Sequence, residues 1–380
     1  MVRGCRRSCE LHTPDTEFWG RLIGLVPADR ENGLIEIDGS KKSGSGTLVR
    51  FAVALCSLTN QPVRIVRIRE KREKPGLRPQ HLKAVEACAQ LSSGRLEGAE
   101  IGSRELVYHP GGSIGNGFFQ WDIGTAGSAT MMAFTLIPVL LFAGRRSQFT
   151  IRGGLFQDFA PTALHMKKVL LPLLQQMGAR VDLKMVRPGY TPKGNGELGV
   201  SVEPANAPLR PFQKVQRGDA RRIRGVSLAS HLEREAVARR MADTSCRLLA
   251  DEGCSPEIEI VEDATAVQKG AALLLWVETE GGCLLGFDMA GKRGRSSETI
   301  AQRVVGGLLA DMATGAAVDR FAADQLILFA GLAAGKSRYR VPRLTDHIES
   351  NLWLIEKILG AGTEFKDNLI YIDGIGFFGK

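Results

Sequence analysis

Phe118-Phe-Gln-Trp-Asp-Ile123, Gly124-Thr-Ala-Gly-Ser-Ala-Thr130 and Met131-Met-Ala-Phe-Thr-Leu-Ile-Pro-Val-Leu-Leu-Phe142 follow one another as an extended segment, a loop of small residues and an apolar helical segment. A second strand pattern, 148–152, and a further helical pattern, 164–177, come next. The same order occurs earlier: strand 34–38, a glycine and serine loop at 39–46, helix 47–58, strand 63–68 and helix 82–91. Each copy ends in a paired-strand region. An internally repeated plan of this kind predicts an α/β (α+β) protein with helices packed on sheets.

Beyond the second copy the composition turns basic near Arg217-Gly218-Asp219, with Arg221, Arg222 and Arg224 close behind. A charged helix over 231–251, strands at 257–261, 271–277 and 284–288 and a helix over 297–311 are expected to form a small inserted domain. The repeat plan resumes after Thr314, with helix 321–332, an extended 338–341, helix 347–359 and strand 369–373. The reading therefore has a large domain of 33–218 and 315–380, a small domain of 219–314, and a poorly ordered extension of 1–32.

The chain has 380 residues, 44% of them apolar, enough for two cores, and a formal net charge of +9 that favours an acidic partner such as nucleic acid or nucleotide. The longest apolar run, 131–143, is interrupted by Pro138 and is shorter than the roughly 20 residues needed to cross a bilayer. Residues 1–32 lack the apolar core of a secretory signal. Seven cysteines, several inside apolar patterns, fit reduced thiols and a cytoplasmic setting. Cys5, Cys9 and His12 have no fourth ligand nearby and match no standard zinc spacing.

Chemistry concentrates in a few places. Arg69-Glu-Lys-Arg-Glu-Lys-Pro-Gly-Leu-Arg-Pro-Gln-His81 is a basic stretch stiffened by Pro75 and Pro79 at the mouth of a helix. Arg69 and Arg72 offer fork-shaped donors, Gln80 and His81 neutral ones, and the free first-turn amides add partial positive charge, a combination suited to phosphate. A solvated basic loop is the plainer reading. Gly39 and Gly44 have P-loop spacing, but Ser45 stands where that motif needs lysine. Gly374, Gly376 and Gly379 satisfy GxGxxG with no helix to follow, which excludes dinucleotide binding there. Gly124 to Thr130 is either a tight turn on a sheet or a phosphate-approaching loop. His347 follows Thr345 and Asp346, which can cap a helix, and Glu349 suits a capping box. The positive end of the helix dipole would keep its ring neutral and near a phosphate, though a structural histidine fits the same pattern. His109 and His165 show no evident polar company in sequence, and His231 reads as a helix-start residue.

Asp38-Gly39 with Arg50, Lys74-Pro-Gly-Leu77, Gln80-His81, Ile123-Gly-Thr-Ala-Gly-Ser128, Tyr190-Thr-Pro-Lys-Gly194, Ala323-Asp-Gln325 and His347 together closely resemble the RNA 3'-terminal phosphate cyclase family, from about residue 34 to 373. The resemblance implies repeated α/β units like the C-terminal domain of a translation initiation factor, with a smaller domain inserted. It implies ATP and a divalent cation, Mg²⁺ or Mn²⁺, as cofactors and RNA 3'-phosphate ends as partners. It places His347 as the catalytic histidine that takes AMP from ATP before the RNA phosphate does. Phe321, Ala322, Ala323, Asp324 and Gln325 would line the nucleotide pocket, and Arg50, Arg69, Arg72, Gln80 and His81 would hold the triphosphate or the RNA end.

The chain departs from the family pattern at four places. Ser43 replaces a glutamate associated with the metal, Phe134 replaces a glutamine associated with ATP and could stack on adenine, and Leu155 and Leu164 replace a threonine and an aspartate. Asp158 could compensate. Two rivals follow: a cyclase-like RNA-binding protein that has lost turnover, and a transferase acting on a small phosphorylated metabolite.

Overall fold

A computed structural model describes residues 33–378. The expected 1–32 extension and the Cys5, Cys9 and His12 group lie outside the described residues. In the first repeat, β1 (Ile35–Asp38), α1 (Gly46–Thr59), β2 (Val63–Val66), α2 (Pro79–Ser92), β3 (Arg95–Glu97) and β4 (Leu106–His109) build a four-stranded sheet of order β1-β2-β4-β3. In the second, β5 (Phe118–Asp122) leads to α3 (Ala129–Leu141) and β6 (Ser147–Gly153). Next comes α4, which runs as Ala163–His165, a wide turn Met166–Leu170 and Leu171–Gln176, and then β7 (Arg180–Arg187) and β8 (Gly196–Glu203). Its sheet order is β5-β6-β8-β7.

A third copy begins with the two-residue strand β9 (Gln213–Lys214) and is interrupted at once. The interruption contains β10 (Ala220–Ser230), α5 (Val237–Asp251), β11 (Glu257–Asp263), β12 (Gly270–Thr279), β13 (Leu284–Ala290) and α6 (Ser297–Ala313), with sheet order β11-β10-β12-β13. The copy then finishes with α7 (Ala322–Leu332), β14 (Ala334–Arg340), α8 (Asp346–Leu359), β15 (Gly362–Lys366) and β16 (Leu369–Ile375). Its order, β9-β14-β16-β15, is that of the other two, with one parallel pair (β9 with β14) and two antiparallel pairs. The fold is thus a mixed α/β arrangement of three like units and one inserted unit.

Helices of the three repeats pack on one another: α1 against α2, α3 and α8, and α7 against α8. At their junction the first helix of each repeat contributes one ring, with Phe134 at 5.4 Å from Phe51 and 5.6 Å from Phe329 between centroids. All three rings are buried. Close tilted packing of this kind adds to the burial of their area. Leu155 and Leu164 are buried in the same core.

The inserted sheet is apolar on both faces, which explains the near-continuous apolar run of β12. Ala271, Leu273, Leu275 and Val277 pack under α5 and α6, whereas Ala272, Leu274 and Trp276 join the core of the large unit. The sequence pattern missed β10, the central strand of this sheet, because it opens on the exposed residues Ala220, Arg221 and Arg222. The charged helix starts at Val237 rather than at 231. His231 and Ala236 take left-handed backbone angles of φ 56° and 48°, which a helix does not admit, and His231 Nε2 donates to the Ala266 carbonyl at 2.7 Å. Truncating Phe134 to Ala is expected to cost about 3–5 kcal/mol, the range for deleting a buried aromatic ring. Denaturant midpoints of the two proteins at unchanged slope measure this, and a loss below about 1 kcal/mol would remove the ring trio from its central place.

Candidate active site

The starts of three helices, α1, α2 and α8, meet at one place. Ser45 caps α1, its hydroxyl accepting from Thr47 N–H at 3.3 Å. Thr345 caps α8 through Ile348 N–H at 3.2 Å, one position from the capping residue Asp346 that the sequence also allowed. The loop before α1 is tied to α8: Ser43 N–H donates to Ser350 Oγ at 3.1 Å, and Ser350 Oγ–H contacts Ser43 Oγ at 2.8 Å. Lys42 and Glu349 pair across the same seam at 3.5 Å. On the other side, α1 and α2 approach so closely at Gly46 that a Cβ there would lie 2.0 Å from His81 Nε2. Free amides at these helix starts carry partial positive charge, and the arrangement invites an anion.

The side chains at this meeting point are cations and unpartnered polar groups. Arg50 of α1 is only 4% exposed and carries a buried Nε with no acceptor. Burial, then the charge of Arg69, lowers its pKa to about 10, against the pull of Asp324. Among the described residues, six buried side-chain polar atoms have no hydrogen-bond partner. Four of these, Arg50 Nε, Asp324 Oδ1, His347 Nδ1 and Asn351 Oδ1, belong here. Buried groups are nearly always satisfied, so such a concentration marks a place built for something else to bind. Asn351 Nδ2 donates to the Asp324 carbonyl at 2.8 Å, which joins α8 to α7.

His347 sits in the first turn of α8, half-buried, within reach of the fields of Arg72 and Arg50. Its pKa is lowered first by burial, then by Arg72 and Arg50, with Asp346 opposing. A neutral imidazole at pH 7 follows, as the helix position suggested, although desolvation and guanidinium charge are the named causes. His81 is buried and held still further below the ordinary histidine range, by burial and then Arg50, Arg69, Arg78 and Arg72. Its Nδ1 accepts from Arg78 N–H at 3.3 Å, tying the first turn of α2 to the residue that precedes it. The Asp324 carboxyl is pushed up to about 8 by burial and by Asp319, partly offset by His165 and Arg50.

The remaining anticipated residues divide. Arg69 braces its own loop, donating to the carbonyls of Lys74 at 2.7 Å and Gly76 at 2.8 Å, while Arg72 is exposed. Gln80 Oε1 accepts from Ser128 N–H at 2.7 Å, which brings the small-residue loop alongside the basic segment. That loop also abuts Gly194, where a Cβ would meet Ala126 Cα at 2.7 Å. In 321–325, Ala322, Ala323 and Gln325 are buried, Asp324 faces Arg50, and Phe321 lines a neighbouring cleft of about 300 Å³ with Phe287, Asp288, Asp158 and Arg295. Phe134 is not brought to any surface, since Phe51 and Phe329 pack against its ring in the core. A larger groove of about 430 Å³, lined by Lys168, Arg224 and Trp276 among others, contains none of these residues.

The profile of the RNA 3'-terminal phosphate cyclase family matches residues 41–365, most of the chain. The chain belongs to the RNA 3'-terminal phosphate cyclase family. It is 38% identical over 339 residues to the RNA 3'-terminal phosphate cyclase of Archaeoglobus fulgidus, covering 89% of this chain and 100% of the relative. Its identity to the protein of the same name from Methylococcus capsulatus is 36% over 332 residues, covering 85% and 91% of the two chains. An EPSP synthase from Acinetobacter baumannii superposes with a TM-score of 0.40 and 11% identity over 91% of this chain and 49% of that one, a likeness too slight to bear on fold or function.

Against this family background the position of Ser43 matters most. Its hydroxyl is spent within the protein, on Ser45 at 3.0 Å and Ser350 at 2.8 Å. Asp158, named as a stand-in for the aspartate that Leu164 replaces, has both its oxygens bound by Arg295 of the inserted unit, at 3.0 and 3.1 Å. Among the described residues no group of three or more His, Cys, Asp or Glu side chains could hold a metal ion. A divalent cation here would take its ligands chiefly from phosphate oxygens and water, and no step is assigned to one.

Two histidines have partners that the sequence did not reveal. His165 and His109, which lacked evident company, both have a carboxylate: His165 Nε2 lies 3.1 Å from Asp319 Oδ2, fully buried, and His109 Nε2 lies 3.7 Å from Glu97. His165 and Asp319 are 154 positions apart, so no local pattern pairs them.

A titration follows from Asp324. Its folded pKa of about 8 stands above the ordinary 3.8, so its contribution to stability is complete below about pH 4 and is lost as pH rises through 8. Asp324→Asn is expected to flatten that part of the stability curve between pH 5 and 9, as read by thermal melts. Identical pH dependence in the two proteins would mean that the carboxyl is not held neutral. Separately, Gly46→Ala is expected to displace His81 and to cost about 1–3 kcal/mol through overpacking.

Proposed function

We propose that this protein converts RNA 3'-terminal phosphates to 2',3'-cyclic phosphates at the expense of ATP, with His347 as the group that is transiently adenylylated. The observation that carries the proposal is the placement of the His347 ring in the first turn of α8, its Nδ1 without a hydrogen-bond partner and the charges of Arg72 and Arg50 close enough to add to burial in lowering its pKa. A ring nitrogen attacks the α-phosphorus of ATP and pyrophosphate leaves. The bound AMP then moves to an oxygen of the RNA 3'-phosphate, freeing the imidazole. Finally the vicinal 2'-hydroxyl attacks that phosphorus, loses its proton, and AMP departs. The covalent step gives a poor electrophile a good leaving group.

In this reading the chain contributes mostly position and charge. Arg50, Arg69 and Arg72, with the amides at the starts of α1 and α8, gather phosphate oxygens without reorganising as charge develops. Phe321 and Phe287, packed on one another, would offer one aromatic wall to the base in the cleft of about 300 Å³. The repeated unit would correspond to the C-terminal domain of a translation initiation factor. The setting would be cytoplasmic; among the described residues no helix is long and apolar enough to cross a membrane.

The hydroxyl of Ser43, engaged by Ser45 and Ser350, favours one second reading, a family member that binds RNA without turnover. One experiment separates the two. The wild-type protein, incubated with α-labelled ATP and Mg²⁺ or Mn²⁺, is expected to acquire an acid-labile adduct that His347→Ala does not form. No label at any metal concentration, with salt-sensitive RNA binding retained, would replace the enzyme by the binding protein.

A further inference from the structure

Asp319 lies between the inserted unit and α7, and its carboxylate is fully buried among four donors. Oδ1 accepts from the backbone N–H groups of Phe321 and Ala322, both at 2.8 Å. Oδ2 accepts from Gly286 N–H on β13 at 2.8 Å and faces His165 Nε2 on α4 at 3.1 Å. One side chain therefore ties the second repeat, the inserted unit and the first turn of α7. The approach of these parts is close: a Cβ on Gly286 would lie 2.6 Å from Val169 Cγ2 and 3.2 Å from the His165 ring.

His165 is fully buried as well, and its Nδ1 has no partner. Its ring meets Phe321 edge-on at 5.8 Å between centroids, and Phe321 meets Phe287 at 5.4 Å. The charged groups facing the imidazole are Asp319, Asp288 of β13 and Asp324 of α7. The Asp288 carboxylate is itself engaged by Thr162 N–H at 2.8 Å.

We propose that His165 and Asp319 form a positioning pair that fixes the start of α7, and thereby sets the Phe321 ring at the cleft and the Asp324 carboxyl beside Arg50 for a bound nucleoside triphosphate. The proposal rests on the nucleotide reading given above. Geometry supplies half of the effect, because Asp319 caps the turn that carries Phe321 and Ala322 and His165 holds Asp319 from behind. Charge supplies the other half. Burial alone would discharge the imidazole, but Asp319, by charge and hydrogen bond, and then Asp288 and Asp324 raise its pKa overall. The imidazolium in turn favours the ionised form of Asp324.

The two halves separate experimentally through His165→Phe, which removes donor and charge, and His165→Gln, which keeps a donor without the charge. Equilibrium binding of α,β-methylene-ATP, which cannot lose pyrophosphate, is measured by calorimetry from pH 6 to 9 alongside thermal melts. Wild type is expected to bind. In His165→Phe the affinity is expected to fall about ten- to hundredfold, the scale of an ångström-level misplacement. In His165→Gln most of the affinity returns, while the pH midpoint of binding moves up by about one unit as Asp324 loses its cation. A merely structural role predicts lower melting temperatures with the affinity and pH midpoint of the folded variants unchanged, and that result overturns the proposal. Should His165→Phe not fold, an unshifted midpoint in His165→Gln overturns it equally. Wild type that fails to bind the analogue at every pH would instead overturn the nucleotide reading, and the pair's role with it.

Discussion

Three phenylalanines, one from the first helix of each repeat, meet at the centre of the molecule, and the rest of the arrangement depends on that contact. Phe51, Phe134 and Phe329 bring α1, α3 and α7 together, and α8 packs on both α1 and α7. Once these helices converge, the helical faces of the sheets are covered from inside. Interiors at crystal-like density admit few ways of doing this, so a single junction constrains all three repeats at once. The second repeat shows it most clearly: Leu155, Leu164 and Phe134 are all apolar and all buried.

The same convergence makes the site. Bringing helices together by their sides also brings their starts together, and each start is a source of unpaired N–H groups and partial positive charge. Ser45 and Thr345 cap two of them with their side chains, and His81 holds the Arg78 N–H at a third. Arg50, Arg69 and Arg72 are then placed near one another without an acid to neutralise them all, and burial first and their charges second drive His81 and His347 toward their neutral forms. A cluster of like charge held in place by the core is unfavourable in isolation and becomes favourable when an anion arrives. In this sense the site's electrostatics follow from the packing of its scaffold.

Much of this was legible in the sequence. The first two repeats follow from periodicity, because alternation and helical spacing report directly which side of an element is buried. The basic segment, the small-residue loop and His347 were singled out by residue type, and the structure brings them to one place through Gln80, Ser128 and Ser43 with Ser350. What escaped did so for identifiable reasons. Phe134 suggested a stacking surface, but an aromatic ring on an apolar helix has the same sequence signature whether it faces a ligand or a core. The residues from His231 to Ala236 read as helix because composition does not reveal two left-handed backbone angles. The start of β10 is lined with arginines whose exposure hides its central position in a sheet.

The sequence by itself determined the elements: where chain segments alternate, where they turn, which helices begin with a cap, and the excess of arginine that calls for an acidic partner. Those properties depend on residues a few positions apart, within reach of local backbone and side-chain geometry. Only the tertiary structure decided which starts would meet, which aromatic ring would become the core, and that His165 would find Asp319. These pairings join residues separated by whole repeats, and close-packing settles them only when every helix has found its place.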